Sequence, residues 1–313
     1  MKKKVLVVGE LNVDILLNNI HGFPVVGQEI LADQMTLTLG SSSAIFAANL
    51  STLGVTTSFC GMTGKDLFGR FVIDALEEKG INTSLIIESD KHQTGLTMIL
   101  NYKQDRANIT HCGAMDFFTL NDIPLSSLSQ FSHLHLSSYF LQKGLQKDIV
   151  HLFKTAKEKG LSTSLDIQWD PAGKWNFPYA DCLPYIDLFL PNEKELLALT
   201  GASQLQDALE KLAPFARTIV VKQGENGATA FCDGCYTHAA PYLHKKFVDA
   251  IGAGDSFNAG FISSYLEGKP LQQNLMFGNL AGATNTTAAG GTGAFTDRSS
   301  FVEAARTIFK VDI

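Results

Sequence analysis

The feature that most constrains this chain is an alternation of two patterns. Short apolar runs, Val5–Val8, Leu134–Leu136, Leu165–Ile167, Asp187–Leu190 and Thr218–Val221, recur along it with helical patterns between them. A short continuous apolar run suits a strand buried on both faces, as in a parallel sheet covered by helices. In GLQKDIVHLFKTAKEKG, Leu145, Ile149, Leu152, Phe153 and Ala156 recur three and four residues apart, and Gly160 stands where a helix C-cap would. Repeated strand–helix–strand units predict an α/β fold with a mostly parallel central sheet and helices on both faces.

Two regions break this pattern. Residues 11–39 and 95–111 hold alternating stretches (Glu29 to Ala32, Met35 to Leu39, Leu96 to Leu100, Asn108 to His111) with no helix between them. Alternation marks strands exposed on one face. We expect a small β-sheet lid from about 12–39 and 94–111, projecting from a main α/β part of about 1–11, 40–93 and 112–313, all within a single domain 1–313. Lid strands also offer edges on which a homodimer can form.

Bulk properties narrow the function. A net charge of −6 on 313 residues argues against a general nucleic-acid binder. No apolar run reaches the roughly 18 residues of a membrane span. The start, MKKKVLVVGELNVD, resembles a signal peptide only superficially, because its apolar patch meets Glu10 and Asp14; a buried first strand is expected. Five dispersed cysteines fit reduced thiols and a cytoplasmic protein. Cys232 and Cys235 lack the further ligands of a zinc site and flank a hairpin turn at Asp233-Gly234. His133 and His135 share a strand face without a third ligand and stay unassigned.

The chemistry concentrates in DAIGAGDSFNAGF, residues 249–261. It follows an apparent strand, Lys246–Val248, and opens an apolar-periodic run, so Gly252, Ala253 and Gly254 belong at a helix N-terminus. Unpaired amides and small residues there make a cradle for an anion. A carboxylate at Asp255 repels an anion, unless it takes a proton from a group attacking that anion. Neither GxxxxGK[ST] nor GxGxxG occurs, so the cradle is of another kind.

Seven segments in order, VVGELNVDI (7–15), GSSSAIFAANLSTLG (40–54), GMTGKDLFG (61–69), TGLTMIL (94–100), LPNEKEL (190–196), VVKQGENG (220–227) and DAIGAGDSFNAGF, resemble those of the ribokinase-like, or phosphofructokinase-B, carbohydrate kinases. The resemblance implies a three-layer α/β/α sandwich with a lid, and transfer of the γ-phosphate of ATP, with Mg²⁺, to a small sugar. It implies Asp255 as general base and Gly252, Ala253 and Gly254 as anion hole, which agrees with a reaction governed by positioning and fixed donors. Asn192 and Glu195 match the family's N-x-x-E motif for magnesium and phosphate placement; the same pair reads as a capping box. Lys222, Gly224 and Gly227 fall where the family holds the nucleotide, and Asn279 beside the adenine. Asp249, with the 288–293 loop, matches a K⁺ site, although Ala250 and Ile251 replace its usual threonines.

On the acceptor side the resemblance makes Asn12 and Asp14 sugar-binding; alternate strand positions put both on one face, and such groups suit vicinal hydroxyls. Gly40 is kept at the next helix start, but Ser41 replaces the second glycine and Ile45 stands where the family's sugar-binding asparagine belongs. The hydroxyls of Ser41, Ser42 and Ser43 are candidate replacements. Ile45 and Phe46 leave a nucleoside kinase as one rival, and a catalytically silent sugar-binding protein is another.

Overall fold

The structure is a computed structural model that describes residues 3–102 and 106–313. Its nine-stranded main sheet runs, in spatial order, Cys235–Ala239, Ala228–Cys232, Thr218–Lys222, Leu188–Phe189, Ser162–Asp166, His133–Ser137, Lys4–Val8, Thr56–Gly64 and Asn82–Ser89. All neighbours pair in parallel except those made by the hairpin of the first two strands. The hairpin turns through Asp233 and Gly234, both at positive φ, and Cys232 faces Cys235 across it with both thiols free.

The strand Lys4–Val8 explains the layering. Leu6 and Val8 join one buried cluster with Leu152 and Phe153 of the helix Ile149–Glu158 and Leu196 of the helix Glu193–Thr200. Val5 and Val7 join the other, with Phe46 of the helix Ser42–Thr52 and Phe257 and Phe261 of the helix Ala253–Leu266. Successive side chains point to opposite faces, so a strand apolar at every position feeds two cores. This is the expected three-layer sandwich.

The periodic segment after Leu145 forms two pieces, Lys143–Gln146 and Ile149–Glu158, and Gly160 follows at φ 83°. Lys246–Val248 is not a strand: the sheet edge is already held by Cys235–Ala239, Phe247 and Val248 are 65% and 51% exposed, and the Val248 N–H donates to the Thr286 carbonyl. Glu29 to Leu31 likewise precede the strand Ala32–Leu39 instead of joining it.

A separate four-stranded sheet has the order Ala32–Leu39, Asn12–Ile20, Gly95–Asn101 and Arg106–His111. Its register gives it two chemical faces. Asp14 lies beside Thr38 and Thr97, and Thr97 beside Thr110, on a polar face. Ile15 lies beside Leu37 and Met98, and Met98 beside Ile109, on an apolar one.

Candidate active site

The C-terminal ends of the parallel strands are where ligands bind in open α/β sheets. Here two cavities adjoin at those ends. One, of about 460 Å³, is lined by Asn12, Asp14, Ser42, Gln168, Trp169 and Asp255 among others. The second, of about 440 Å³, is lined by Gly227, Tyr242, Phe257, Asn279, Gly282 and Ala283 among others. Lys222, Gly224, Ala250 and Gly254 line both.

The turn of Gly252, Ala253 and Gly254 sits where the cavities meet. Gly252 caps the helix Ala253–Leu266 at φ 72°, and a Cβ on it would lie 2.6 Å from the Cα of Gly291. Backbone sign and close packing both require glycine there. A Cβ on Gly254 would meet nothing nearer than the Lys222 Nζ at 3.6 Å, so this amide edge is open to a ligand. Asp255 is 6% exposed. Burial, reinforced by the charge of Asp166, pushes its carboxyl well above the ordinary range; Lys222 and the Ser42 hydroxyl work the other way.

Three polar residues absent from the expected set complete the surroundings. Asp166, fully buried at the end of its strand, ion-pairs with Lys222 and accepts from Asn258 Nδ2 at 2.6 Å. Gln168 donates through Nε2 to Asp255 Oδ1 at 3.0 Å and to Asp166 Oδ2 at 3.2 Å, from backbone at φ 60°. Glu10 accepts from the Ser43 amide and hydroxyl at 3.2 and 2.5 Å, and burial raises its pKa. A charged residue ending or interrupting an otherwise apolar strand is the signal that marks Glu10 and Asp166.

The expected residues divide by what their polar atoms already do. Asn192 and Glu195 form the capping box, Asn192 N–H to Glu195 Oε2 at 2.8 Å and Glu195 N–H to Asn192 Oδ1 at 2.9 Å, while both face the first cavity. Burial and the nearby Asp166 push Glu195 up to about 7. For Lys222, burial opposes the charge, but Asp166 and Glu195 outweigh it and raise its pKa. Asn12 Nδ2 donates to Asp14 Oδ1 at 3.0 Å and to Thr97 Oγ1 at 3.1 Å. Gly40 is bare because a Cβ would lie 2.3 Å from Asp14 Oδ1.

Of the three serines, Ser41 is spent on capping Ala44 N–H and donating to the Glu10 carbonyl, and Ser43 on Glu10; Ser42 faces Asp255. Ile45 lines the first cavity while packing on Gly252 and Gly291, and Phe46 is fully buried, stacked on His135 at 3.7 Å. Asn279 lines the second cavity with its Nδ2 on the carbonyls of Ala239 and Ala240. Gly227, at φ 82°, lies against the Ala239 carbonyl. Asp249 stands apart from both cavities, accepting from Ile251 N–H and, across the 288–293 loop, from Gly290 N–H, each at 2.9 Å. His133 and His135 form a buried chain with the hydroxyls of Ser162, Ser164 and Ser137.

The first cavity therefore carries Glu10, Asp14, Glu195 and Asp255 against Lys222 and Arg106. A phosphate entering this excess of carboxylates needs a cation with it. Among the described residues no cluster of three or more His, Cys, Asp or Glu side chains could hold a metal alone. The oxygen donors of Asn192 and Glu195 nevertheless suit Mg²⁺, which retains waters and is shared with substrate phosphates.

A three-layer sandwich with a small sheet whose polar side chains line a cavity at the strand ends is the architecture of the ribokinase-like kinases. The chain belongs to the pfkB family of carbohydrate kinases, whose family model matches residues 2–298. It is 28% identical over 247 residues to a protein of Archaeoglobus fulgidus described as an uncharacterized sugar kinase, covering 75% of this chain and 92% of the relative. Arabidopsis thaliana ribokinase, solved with ribose and ATP, superposes with a TM-score of 0.83 at 24% identity, covering 97% and 98% of the two chains. The adenosine kinase of Sinorhizobium meliloti reaches 0.84 at 21% identity over 98% and 99%. At those identities the two structures establish the fold alone.

Proposed function

We propose that this protein transfers the γ-phosphoryl group of ATP to a hydroxyl of a small carbohydrate. The observation that carries the reading is that Gly254 lines both cavities while the next residue, Asp255, lines only the polar one. ATP occupies the second cavity, with Lys222, Gly224, Gly227 and Asn279 around it, and its terminal phosphate reaches the amides of Gly252, Ala253 and Gly254. The sugar occupies the first, its hydroxyls read by Asn12, Asp14 and Ser42, with Gly40 and Ser41 shaping the backbone beneath.

Asp255 accepts the proton of the attacking hydroxyl as its oxygen bonds to the γ-phosphorus. The bond from that phosphorus to the β,γ-bridging oxygen breaks, and the electron pair leaves with ADP. Raised proton affinity suits a base that must hold this proton. The anion-hole amides and Lys222 balance charge on the group in transfer. Asn192 and Glu195 would hold Mg²⁺ that comes with the nucleotide, and the ion would supply further charge neutralisation. The small sheet acts as the lid that excludes water from the phosphate.

Asp255→Asn tests the reading: we expect a folded protein that binds ATP and loses roughly 10²- to 10⁴-fold in turnover. Unchanged turnover removes Asp255 from the mechanism. The acceptor is found by ADP release across hexoses, pentoses, sugar acids and nucleosides. Of the two residues behind the nucleoside alternative, Phe46 is buried against His135 and does not line the acceptor cavity, whereas Ile45 does. Sugar binding without turnover across the panel identifies the silent sensor instead. Monovalent-cation dependence through Asp249 is read from turnover with K⁺ replaced by tetramethylammonium.

We also propose a homodimer through the lid. Met35, Leu37 and Ile109, on the sheet face opposite Asp14, are 65%, 36% and 63% exposed, an apolar surface that a second copy covers. Met35→Lys is expected to shift the mass found by light scattering from dimer to monomer; a monomeric wild type overturns this.

A further inference from the structure

Resting on the kinase reading above, we propose that Trp169 is a preformed stacking platform that selects a cyclic sugar through the C–H face of its ring. Trp169 lines the acceptor cavity and is 56% exposed. Single exposed apolar residues are ordinary, so the case rests on how this one is mounted.

Trp169 is clamped on both sides. Before it, Gln168 holds left-handed backbone and ties its amide to Asp166 and Asp255. After it, Asp170 is 4% exposed and its carboxylate accepts the N–H groups of Ala172, Lys174 and Trp175 at 2.9, 2.7 and 2.6 Å. The loop is thus organised around the buried Asp170 side chain, and Trp175 itself sits at φ 53°. A chain of edge-to-face rings continues into the core: Trp169 to Trp175 at 5.0 Å and 89°, Trp175 to Phe140 at 5.5 Å and 82°, Phe140 to Tyr139 at 5.1 Å and 74°. Phe140 and Tyr139 are buried. Such pairs add specific geometry to burial. Moving the indole out of the cavity wall breaks the contact with Trp175, so its place is set before any ligand arrives.

The hydroxyl-reading groups Asn12, Asp14 and Thr97 line the same cavity from the small sheet, a different element. A pyranose or furanose answers both chemistries, with hydroxyls at its rim for the polar side and ring C–H groups for the indole. An open-chain sugar or polyol has no fixed apolar face and loses the stacking. The platform therefore separates acceptors by ring closure.

The chain has two tryptophans, so Trp175→Phe leaves Trp169 as the sole indole fluorophore. In that variant, the best acceptor from the panel is titrated without nucleotide while emission is followed. We expect a saturable change, and we expect Trp169→Ala to raise KM for the sugar by roughly tenfold or more with kcat retained, because uniform binding is removed. Trp169→Phe should recover most of that loss. Turnover with flat emission and a KM within about twofold of wild type in Trp169→Ala overturns the platform and leaves the kinase standing. Emission that responds to ATP alone, with kcat rather than sugar KM reduced, also overturns it and makes Trp169 a contact of the closing lid. A best acceptor that is open-chain refutes the selection by ring closure. No turnover and no emission change with any acceptor brings down both readings.

Discussion

Asp14 offers a test of the site's electrostatics that needs neither substrate nor nucleotide. Its residue is 7% exposed, and burial pushes its carboxyl from 3.8 to about 7; the Asn12 amide and the Arg106 charge pull the other way, and Glu10 adds to the rise. The folded-state value lies above the unfolded one, so the native state binds more protons between about pH 4 and pH 7. Stability from this group is complete below the unfolded pKa and is lost as pH rises through the folded one. At about 1.4 kcal/mol per pKa unit, the wild type gives up roughly 2–3 kcal/mol between pH 5 and pH 8 on account of Asp14 alone. Asp14→Asn keeps an acceptor for Asn12 Nδ2 and carries no titrating charge. Urea unfolding of both proteins at pH 5 and pH 8 isolates the effect, because any constant cost of the substitution cancels. We expect the variant to gain on the wild type by that amount from the lower to the higher pH. A difference between the proteins that stays flat to within about 0.5 kcal/mol refutes the reasoning.

Gln168→Ala removes a donor from the Asp255 carboxylate, so the proton is held more tightly; the acid limb of the turnover profile should move to higher pH, and an unmoved limb denies Gln168 this positioning role. Gly252→Ala places a Cβ against Gly291 at positive φ and should lower stability by about 1–3 kcal/mol in urea melts while slowing turnover; unchanged stability contradicts the close packing. Asp187 is buried and its carboxyl is held below the usual range: burial alone would raise it, but Lys157, Arg217 and the Thr163 amide more than offset that. Asp187→Asn should cost about 2–3 kcal/mol at neutral pH. Because a depressed pKa stabilises fully only above the unfolded value of about 4, the deficit should shrink below that pH and vanish once pH has fallen through the lower folded-state pKa; a deficit that persists after Asp187 is protonated in the folded protein rules the ion pairs out as its source.

Much of the main sheet is legible because strands such as Lys4–Val8 and Thr218–Lys222 are apolar on both faces. The strand Thr56–Gly64 is not, although it lies next to Lys4–Val8: its residues, TTSFCGMTG, look like a loop. Packing explains them, since a Cβ on Gly61 would stand 2.6 Å from the Gly9 carbonyl, and only the neighbouring chain makes glycine there a strand residue. The site divides on the same line between local and assembled information. The amides of residues 252–254, the capping box of Asn192 and Glu195 and the alternation of Asn12 and Asp14 are local, and a short stretch of sequence displays each. Glu10, Asp166 and Gln168 follow or interrupt apolar runs; Gln168 and Asp166 meet each other locally, but the contacts that tie these residues into the site are distant. Their partners Ser43, Lys222 and Asp255 lie 33, 56 and 87 residues away. The balance of charge is assembled information too: carboxylates from separate segments converge on one cavity, burial raises the proton affinities of Glu10, Asp14, Glu195 and Asp255, and neighbouring carboxylates add to the rise at the last three. On the kinase reading proposed above, a Mg²⁺ ion bound beside Glu195 would locally favour the ionised form of these carboxylates. On that reading, the metal that accompanies the phosphoryl donor would help to free Asp255 to act as the base.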